Sequence, residues 1–96
     1  MGSGKETELY QKEHFSRAVG FVLRKARKDA GLSQEAAAEA AAINRQYLNR
    51  LENSREHVPS GFVLARLAHA YKIPPGILLE RIVERAYFYA RRKKAG

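Results

Sequence analysis

Cysteine is absent from this chain, and proline occurs only three times in 96 residues. Without cysteine the chain forms no disulfide, no thiolate metal site and no cysteine nucleophile. The absence fits a reducing compartment, so we expect the protein in the cytoplasm. The sequence also lacks an apolar run as long as a membrane span. Its first residues, MGSGKETE, lack the apolar centre of a signal peptide.

The residue patterns that support catalysis are also missing. The three histidines, His14, His57 and His69, form neither H-x-x-x-H nor H-E-x-x-H. The acidic residues are spread along the chain without a paired site, and no glycine-rich phosphate loop is present. We therefore expect no enzyme, no metal and no cofactor. Because no ligand-sensing domain is visible, we also expect no small-molecule ligand.

Positive charge, in contrast, is in excess. Lysine and arginine number 18 against 10 acidic residues, for a net charge of +8. The excess lies mainly in residues 15–32 and 80–96. Such a balance favours a polyanionic partner. Many small basic proteins bind nothing anionic, however, so charge alone leaves the partner open.

Apolar periodicity predicts five helices in one domain. No stretch alternates apolar and polar residues as a strand does, so we predict no strand. Capping and breaking residues set the predicted boundaries. The first predicted helix covers about residues 11–30 and is ended by Gly31, and the second runs from its cap Ser33 to about Ala41. The third runs from its cap Asn44 to about Asn53. The fourth runs from its cap Ser60 to the break at Pro74-Pro75, and the fifth begins at Pro75.

The second and third predicted helices are short and only about three residues apart. This spacing is typical of a helix-turn-helix, in which two helices cross steeply and their backbones approach closely. The alanines at 37, 38 and 41 would provide a thin packing surface for that crossing. The alternative is an alanine-rich spacer. It is less favoured because a turn and a helix with Leu48 and Leu51 on one face follow.

The residues of this region resemble those of the phage repressor and Cro-like helix-turn-helix family (XRE type). The matching residues are Leu32-Ser33-Gln34-Glu35, Ala38, Ala41, Ile43, Tyr47-Leu48, Leu51-Glu52 and Pro59-Ser60. The resemblance covers about residues 15–80. It implies an all-α, compact five-helix DNA-binding domain whose third helix enters the major groove. We therefore expect a flexible N-terminus over 1–10, a DNA-binding domain over 11–80, and a helical extension with a basic end over 81–96.

Three departures from the family pattern concern the ends of helices. Ala42 occupies the place of the turn glycine, Ser54 that of the glycine after the third helix, and Lys72 stands where the fourth helix often ends in glycine. If Ala42 adopts a positive φ, it costs about 1 kcal/mol relative to glycine.

The third helix carries side chains that match the edges of bases. Arginine donates two hydrogen bonds to guanine, and asparagine or glutamine pairs with adenine. The alternative is an ordinary solvated helix face. Donors near this helix and at the start of the second helix are candidates for phosphate contacts. The predicted base contacts are Arg45, Gln46, Asn49 and Arg50, and the predicted phosphate contacts are Ser33, Gln34, Asn44, Asn53, Arg55 and His57.

The resemblance also implies an ion pair between Arg27 on the first helix and Glu52 on the third. The fifth helix has a broad apolar face, which we expect to form a homodimer interface. The alternative is that this helix folds back on its own first helix. The residues predicted for the dimer interface are Phe15, Val22, Ile82, Val83, Ala86, Tyr87 and Tyr89.

The resulting hypothesis is a sequence-specific regulator of transcription that acts as a repressor and binds palindromic double-stranded DNA as a two-fold dimer. Such a protein would be associated with the nucleoid. The alternative is an antitoxin or protein-interaction module that keeps the fold and has another protein as its main partner. The polar third helix favours the first hypothesis.

Overall fold

The computed structural model describes residues 9–95, with side chains as far as Arg92, and within them it contains five α-helices and no strand. Each helix starts within one residue of its predicted position, which confirms the all-α, five-helix class. The expected flexible N-terminus lies outside the described residues, apart from positions 9 and 10. The helices are α1 (Lys12–Asp29), α2 (Gln34–Ala41), α3 (Arg45–Asn53), α4 (Gly61–Tyr71) and α5 (Pro75–Ala95).

Three of the helices begin at side-chain caps. The Ser33 hydroxyl accepts a hydrogen bond from the N–H of Ala36 at 3.0 Å, and the Ser60 hydroxyl accepts one from Val63 at 3.1 Å. The carboxamide oxygen of Asn44 accepts the N–H two residues later at 2.7 Å. Each bond satisfies a backbone donor that the first helical turn leaves free.

Three helices also end in the same way, with a residue in the left-handed conformation. These residues are Gly31 (φ 74°), Ala42 (φ 56°) and Lys72 (φ 60°). In each case the N–H of that residue and the N–H of the next one donate to carbonyls of the last turn at 2.9–3.1 Å, as in a Schellman motif. The next residue is apolar and packs against the core. Those residues are Leu32, Ile43 and Ile73.

The helices enclose one hydrophobic core. α1 packs against α3 and α5, α2 packs against α3 and α4, and α4 packs against α5. The apolar stripes predicted from the sequence face inward because burying them stabilises the fold. The largest fully buried apolar side chains are Leu23, Leu48, Leu51, Leu67, Leu78, Ile82 and Val19. Among the described residues, no helix combines the length and the apolar character needed to cross a bilayer.

Gly20 allows α1 to approach the end of α3. A Cβ atom at this position would lie 2.7 Å from the backbone oxygen of Glu52 and 3.1 Å from that of Leu51. Carbon and oxygen atoms do not approach so closely without a shift of the backbone. Glycine at position 20 therefore sets the distance between α1 and the helix predicted to bind DNA.

The predicted dimer interface needs correction, because four of its residues belong to the core of the single chain. Ile82 and Ala86 are 0% exposed, and Val22 and Tyr89 are 7% exposed. They are buried because α5 folds back on α1, which was the alternative interpretation of its apolar face. Side chains that their own chain already encloses have little surface left for a second subunit. Phe15, Val83 and Tyr87 are only partly buried and remain at the surface.

Candidate nucleic-acid interface

The third helix has one buried face and one exposed polar face. Leu48 and Leu51 are 0% exposed and anchor α3 in the core. The four side chains predicted to contact bases all lie on the exposed side, because they fall at other positions of the helical turn. Together they line a shallow depression of about 350 Å³. These residues are Arg45, Gln46, Asn49 and Arg50.

Glu52 turns its carboxylate away from the exposed face and toward α1. Its oxygens accept hydrogen bonds from Arg27 Nε at 2.7 Å and from Arg27 Nη2 at 3.0 Å. The Glu52 side chain is 0% exposed, and the pair is thus shielded from water. The hydrogen bond to Glu52 raises the pKa of the Arg27 guanidinium above its ordinary value. The acidic group on α3 is therefore neutralised inside the protein and does not repel a DNA phosphate.

Gln34, at the start of α2, forms hydrogen bonds to two residues of α3, Glu52 and Asn49. Its amide nitrogen donates to Glu52 Oε1 at 2.9 Å, and its amide oxygen accepts from Asn49 Nδ2 at 3.1 Å. The two bonds fix the orientation of the Gln34 amide and of the Asn49 side chain. A connected network thus runs from Arg27 in the interior to Asn49 on the exposed face.

Three other predicted phosphate contacts already take part in local hydrogen bonds. Ser33 and Asn44 are the caps of α2 and α3. Asn53 donates to the backbone oxygen of Asn49 at 3.0 Å and accepts a hydrogen bond from Arg24. The cap bonds use only side-chain oxygens as acceptors, so the hydroxyl proton of Ser33 and the amide protons of Asn44 are still available to a phosphate.

Arg55 and His57 lie in the loop that follows α3. Arg55 is exposed and His57 is partly buried. Neither forms a hydrogen bond or an ion pair with another described residue. Arg55 also lines a cleft next to α1, together with Arg17 and Tyr89.

Arg24 was not predicted from the sequence, although it contacts α3. It donates to Asn53, and its Nε lies 4.0 Å from Glu52 Oε1. A signal was available, because Arg24 precedes Arg27 by three residues and so lies on the same face of α1. Two arginines on one helix face are a reason to expect that both meet the carboxylate.

A family model described as a helix-turn-helix domain matches residues 18–82 of the chain. In the search of curated proteins, no sequence matches this chain. The matched segment contains α2, α3 and α4 completely, together with most of α1 and the first turns of α5. The match thus includes every residue of the exposed face of α3.

Three solved structures are similar to a large part of the fold. The clp gene regulator ClgR from Corynebacterium glutamicum is 26% identical, with 84% of this chain and 85% of that chain covered and a TM-score of 0.74. The restriction-modification controller protein C.AhdI from Aeromonas hydrophila is 32% identical, with 66% and 94% covered and a TM-score of 0.61. A variant of the restriction-modification controller protein C.Esp1396I is 18% identical, with 76% and 96% covered and a TM-score of 0.68; it shows the fold alone. These neighbours are regulators and not enzymes.

Proposed function

The chain belongs to the helix-turn-helix domain family, and on that premise we propose that it is a transcriptional regulator that binds a specific DNA sequence with α3 in the major groove. The observation that carries the proposal is the exposed polar face of α3. Two fully buried leucines hold this helix in place while its hydrogen-bonding side chains face solvent. A side chain held on a rigid helix can be aimed at the edge of a base.

Base contacts follow from the chemistry of this face. Arg45 and Arg50 each carry a planar guanidinium that fits guanine O6 and N7. Gln46 lies beside Arg45 in the first turn, where recognition helices reach base edges. The bond to Gln34 holds the Asn49 amide in place and uses one of its two amide hydrogens. The amide oxygen and the second hydrogen are left for a pair of bonds to adenine. Each two-bond contact would discriminate between bases by about 1–3 kcal/mol.

The phosphate contacts surround this face. The positive end of the α2 dipole lies at Ser33 and Gln34, where backbone N–H groups are free for an anion. One amide hydrogen of Gln34 is unused by its two bonds. Arg55 supplies a charged donor on the other side of α3. Such contacts fix the position of the protein on the duplex and do not read sequence.

We further propose that the protein binds a palindromic site as a two-fold dimer. The core residues of α5 are excluded from that interface, but an apolar stripe beside them is not. Leu79, Val83 and Tyr87 follow an i, i+4, i+8 spacing, with Leu79 45% exposed and the other two partly buried. Half-sites of such a dimer lie about 34 Å apart. A dimer bound in this way across a promoter would exclude other proteins and so act as a repressor.

A protein partner is the second candidate function. A groove of about 430 Å³ lies on the surface where α1 and α5 meet, and it is bordered by the exposed aromatic rings of Phe21 and Phe88. Exposed aromatic side chains are common anchors of protein interfaces. An antitoxin or interaction module would use this groove, whereas a DNA reader would depend on α3.

Selection of DNA fragments by the protein distinguishes the two functions. The full chain is incubated with random duplexes, and the bound pool is sequenced for the original protein, for Arg45→Ala/Arg50→Ala, and for Lys25→Ala/Arg81→Ala as a control with the same loss of charge. Regulation through α3 predicts an enriched palindrome for the original and the control, and none for the α3 variant. Weak binding without an enriched sequence in all three would exclude base reading and favour the protein partner.

A further inference from the structure

A cleft of about 610 Å³ lies on the side of the molecule where α1, the later turns of α5 and the loop after α3 meet. We call it the arginine cleft. An adjoining cavity of about 300 Å³ shares Arg17, Arg55 and Tyr89 with it and reaches Ser16 and Arg24. The residues that line the arginine cleft are Glu13, His14, Arg17, Arg55, Tyr89 and Arg92.

The lining is strongly positive. Three guanidinium groups face one carboxylate, that of Glu13, whose Oε2 lies 3.6 Å from His14 Nε2. Tyr89 forms the apolar floor, and the guanidinium of Arg17 lies 4.0 Å from the centre of its ring. This stacking holds the charge of Arg17 in place while leaving its N–H groups free to donate. The excess of two positive charges in the lining suits a dianion.

Two buried polar groups in these cavities have no hydrogen-bond partner. His14 is 8% exposed, and its Nδ1 accepts the N–H of Gln11 at 2.8 Å. A neutral imidazole that accepts at Nδ1 carries its proton on Nε2, so Nε2 is a donor. Glu13 Oε2, at 3.6 Å, lies just beyond hydrogen-bond distance of it, and the hydroxyl of Ser16, 1% exposed, likewise has no hydrogen-bond partner among the described residues. Buried donors in native proteins are almost always satisfied, so these two indicate a missing acceptor.

We propose that the arginine cleft and the adjoining cavity together form a binding site for phosphate groups, with Arg17, Arg55, Arg92 and the buried donor of His14 in the cleft and the buried hydroxyl of Ser16 in the adjoining cavity. Guanidinium groups bind phosphate oxygens through paired hydrogen bonds. The volume of the cleft is that of a small-molecule site. Because the two donors are more than nine-tenths buried, a small free phosphorylated molecule reaches them more readily than a phosphate in a duplex backbone.

The site is connected to the helix predicted to read DNA. Asn53 and Ser54, at the end of α3, line the adjoining cavity, and Arg55 lines both. An anion that draws Arg55 into the cleft removes a donor from the DNA backbone. Binding of the anion and of DNA would then be coupled, and the coupling is reciprocal. The proposal itself concerns anion binding and holds whether or not α3 reads bases. It replaces the expectation that no small molecule binds.

The test is a titration of the ¹⁵N-labelled full chain with inorganic phosphate and with pyrophosphate at constant ionic strength. The expected result is saturable shifts of the amides of Ser16, Ser54 and neighbouring residues. Arg17→Gln/Arg55→Gln should weaken this binding by at least about tenfold, as expected for the loss of two charge-assisted contacts. Lys25→Gln/Arg81→Gln, which removes the same charge elsewhere, should leave it unchanged. Equal binding by both double variants would overturn the site.

Ser16→Ala separates ligand binding from folding. Because the Ser16 hydroxyl is buried and unpartnered, its removal should not lower the melting temperature. It should nevertheless weaken phosphate or pyrophosphate binding. A purely structural serine predicts the opposite, a lower melting temperature with unchanged anion affinity, and that result would contradict the proposal.

The same variants identify the source of the phosphate. If DNA supplies it, free phosphate and pyrophosphate show no saturable binding. The slope of log affinity for DNA against log salt concentration reports the number of phosphate contacts. Arg17→Gln/Arg55→Gln then lowers that number by about two, whereas Lys25→Gln/Arg81→Gln does not. If a free molecule supplies it, the titration saturates without DNA. Absence of both effects would show that the cleft binds no phosphate.

Discussion

At the scale of single residues, backbone conformation identifies a site where the chain is strained. Ala42 holds φ at 56° after α2, a conformation in which glycine lacks the steric penalty of a Cβ atom. We predict that Ala42→Gly stabilises the protein by about 1 kcal/mol, or about 4–8 °C in melting temperature. Thermal unfolding followed by circular dichroism measures this. A lower melting temperature would show that the turn gains nothing from glycine.

Tyr71 provides a prediction about pH. Burial raises the pKa of its phenol above the ordinary value of about 10, and its hydroxyl has no hydrogen-bond partner. Because the folded state holds the proton more tightly, the stability linked to this group is complete below pH 10 and is lost as the pH rises above it. Tyr71→Phe should leave stability unchanged at pH 7 and reduce its decline between about pH 10 and 11.

Urea unfolding of both proteins at pH 7 and at pH 10.5 measures that difference. The other tyrosines and the lysines titrate in both proteins, so the comparison isolates Tyr71. Equal losses of unfolding free energy would mean that Tyr71 does not contribute to the alkaline loss of stability.

Residue chemistry was predictable where it acts locally. The caps Ser33, Asn44 and Ser60 could be predicted because each bonds to a backbone N–H two or three residues away. The buried donors His14 and Ser16 were not predicted, since their environment depends on how α1 packs against α5 and the loop after α3. One sequence cannot show that packing.

At the scale of helices, the contact between α1 and α3 depends on Gly20. Adding a methyl group there would push α1 away from the backbone of Glu52. We predict that Gly20→Ala destabilises the protein by about 1–3 kcal/mol, the usual cost of overpacking. Urea unfolding tests this, with Gly76→Ala in α5 as the control, because a Cβ there meets nothing within 4 Å. An equal effect of both substitutions would contradict the close-packing account.

Helix positions were predictable because each boundary has a local chemical signal. Proline at 75 begins α5, and glycine at 31 follows the end of α1. The direction of an apolar face was predictable for the same reason, from periodicity. The element that covers such a face was not predictable from the sequence. The apolar stripe of α5 fits a partner helix of the same chain as well as one of another chain, and Ile82 and Ala86 proved to be core residues.

At the scale of the whole molecule, the proposed dimer depends on the stripe beside that core. Leu79→Glu/Val83→Glu would place two carboxylates on an apolar contact, where burying them is costly. We predict that this variant sediments as a monomer in sedimentation velocity and that the original chain sediments as a dimer. Ile77→Glu/Arg81→Gln, at two exposed positions on the opposite side of α5, serves as a control that lowers the net charge by the same two units without changing the stripe. A monomeric original chain would contradict the dimer directly.

Base reading by α3 can be measured as the affinity of Arg45→Ala for every single-base variant of the enriched site. We predict that Arg45→Ala loses its preference at one base pair of each half-site, by about 1–3 kcal/mol, and keeps the preferences at all other positions. A uniform loss of affinity across all sequences, with every preference retained, would show that Arg45 contacts only the backbone and would contradict base reading by this helix.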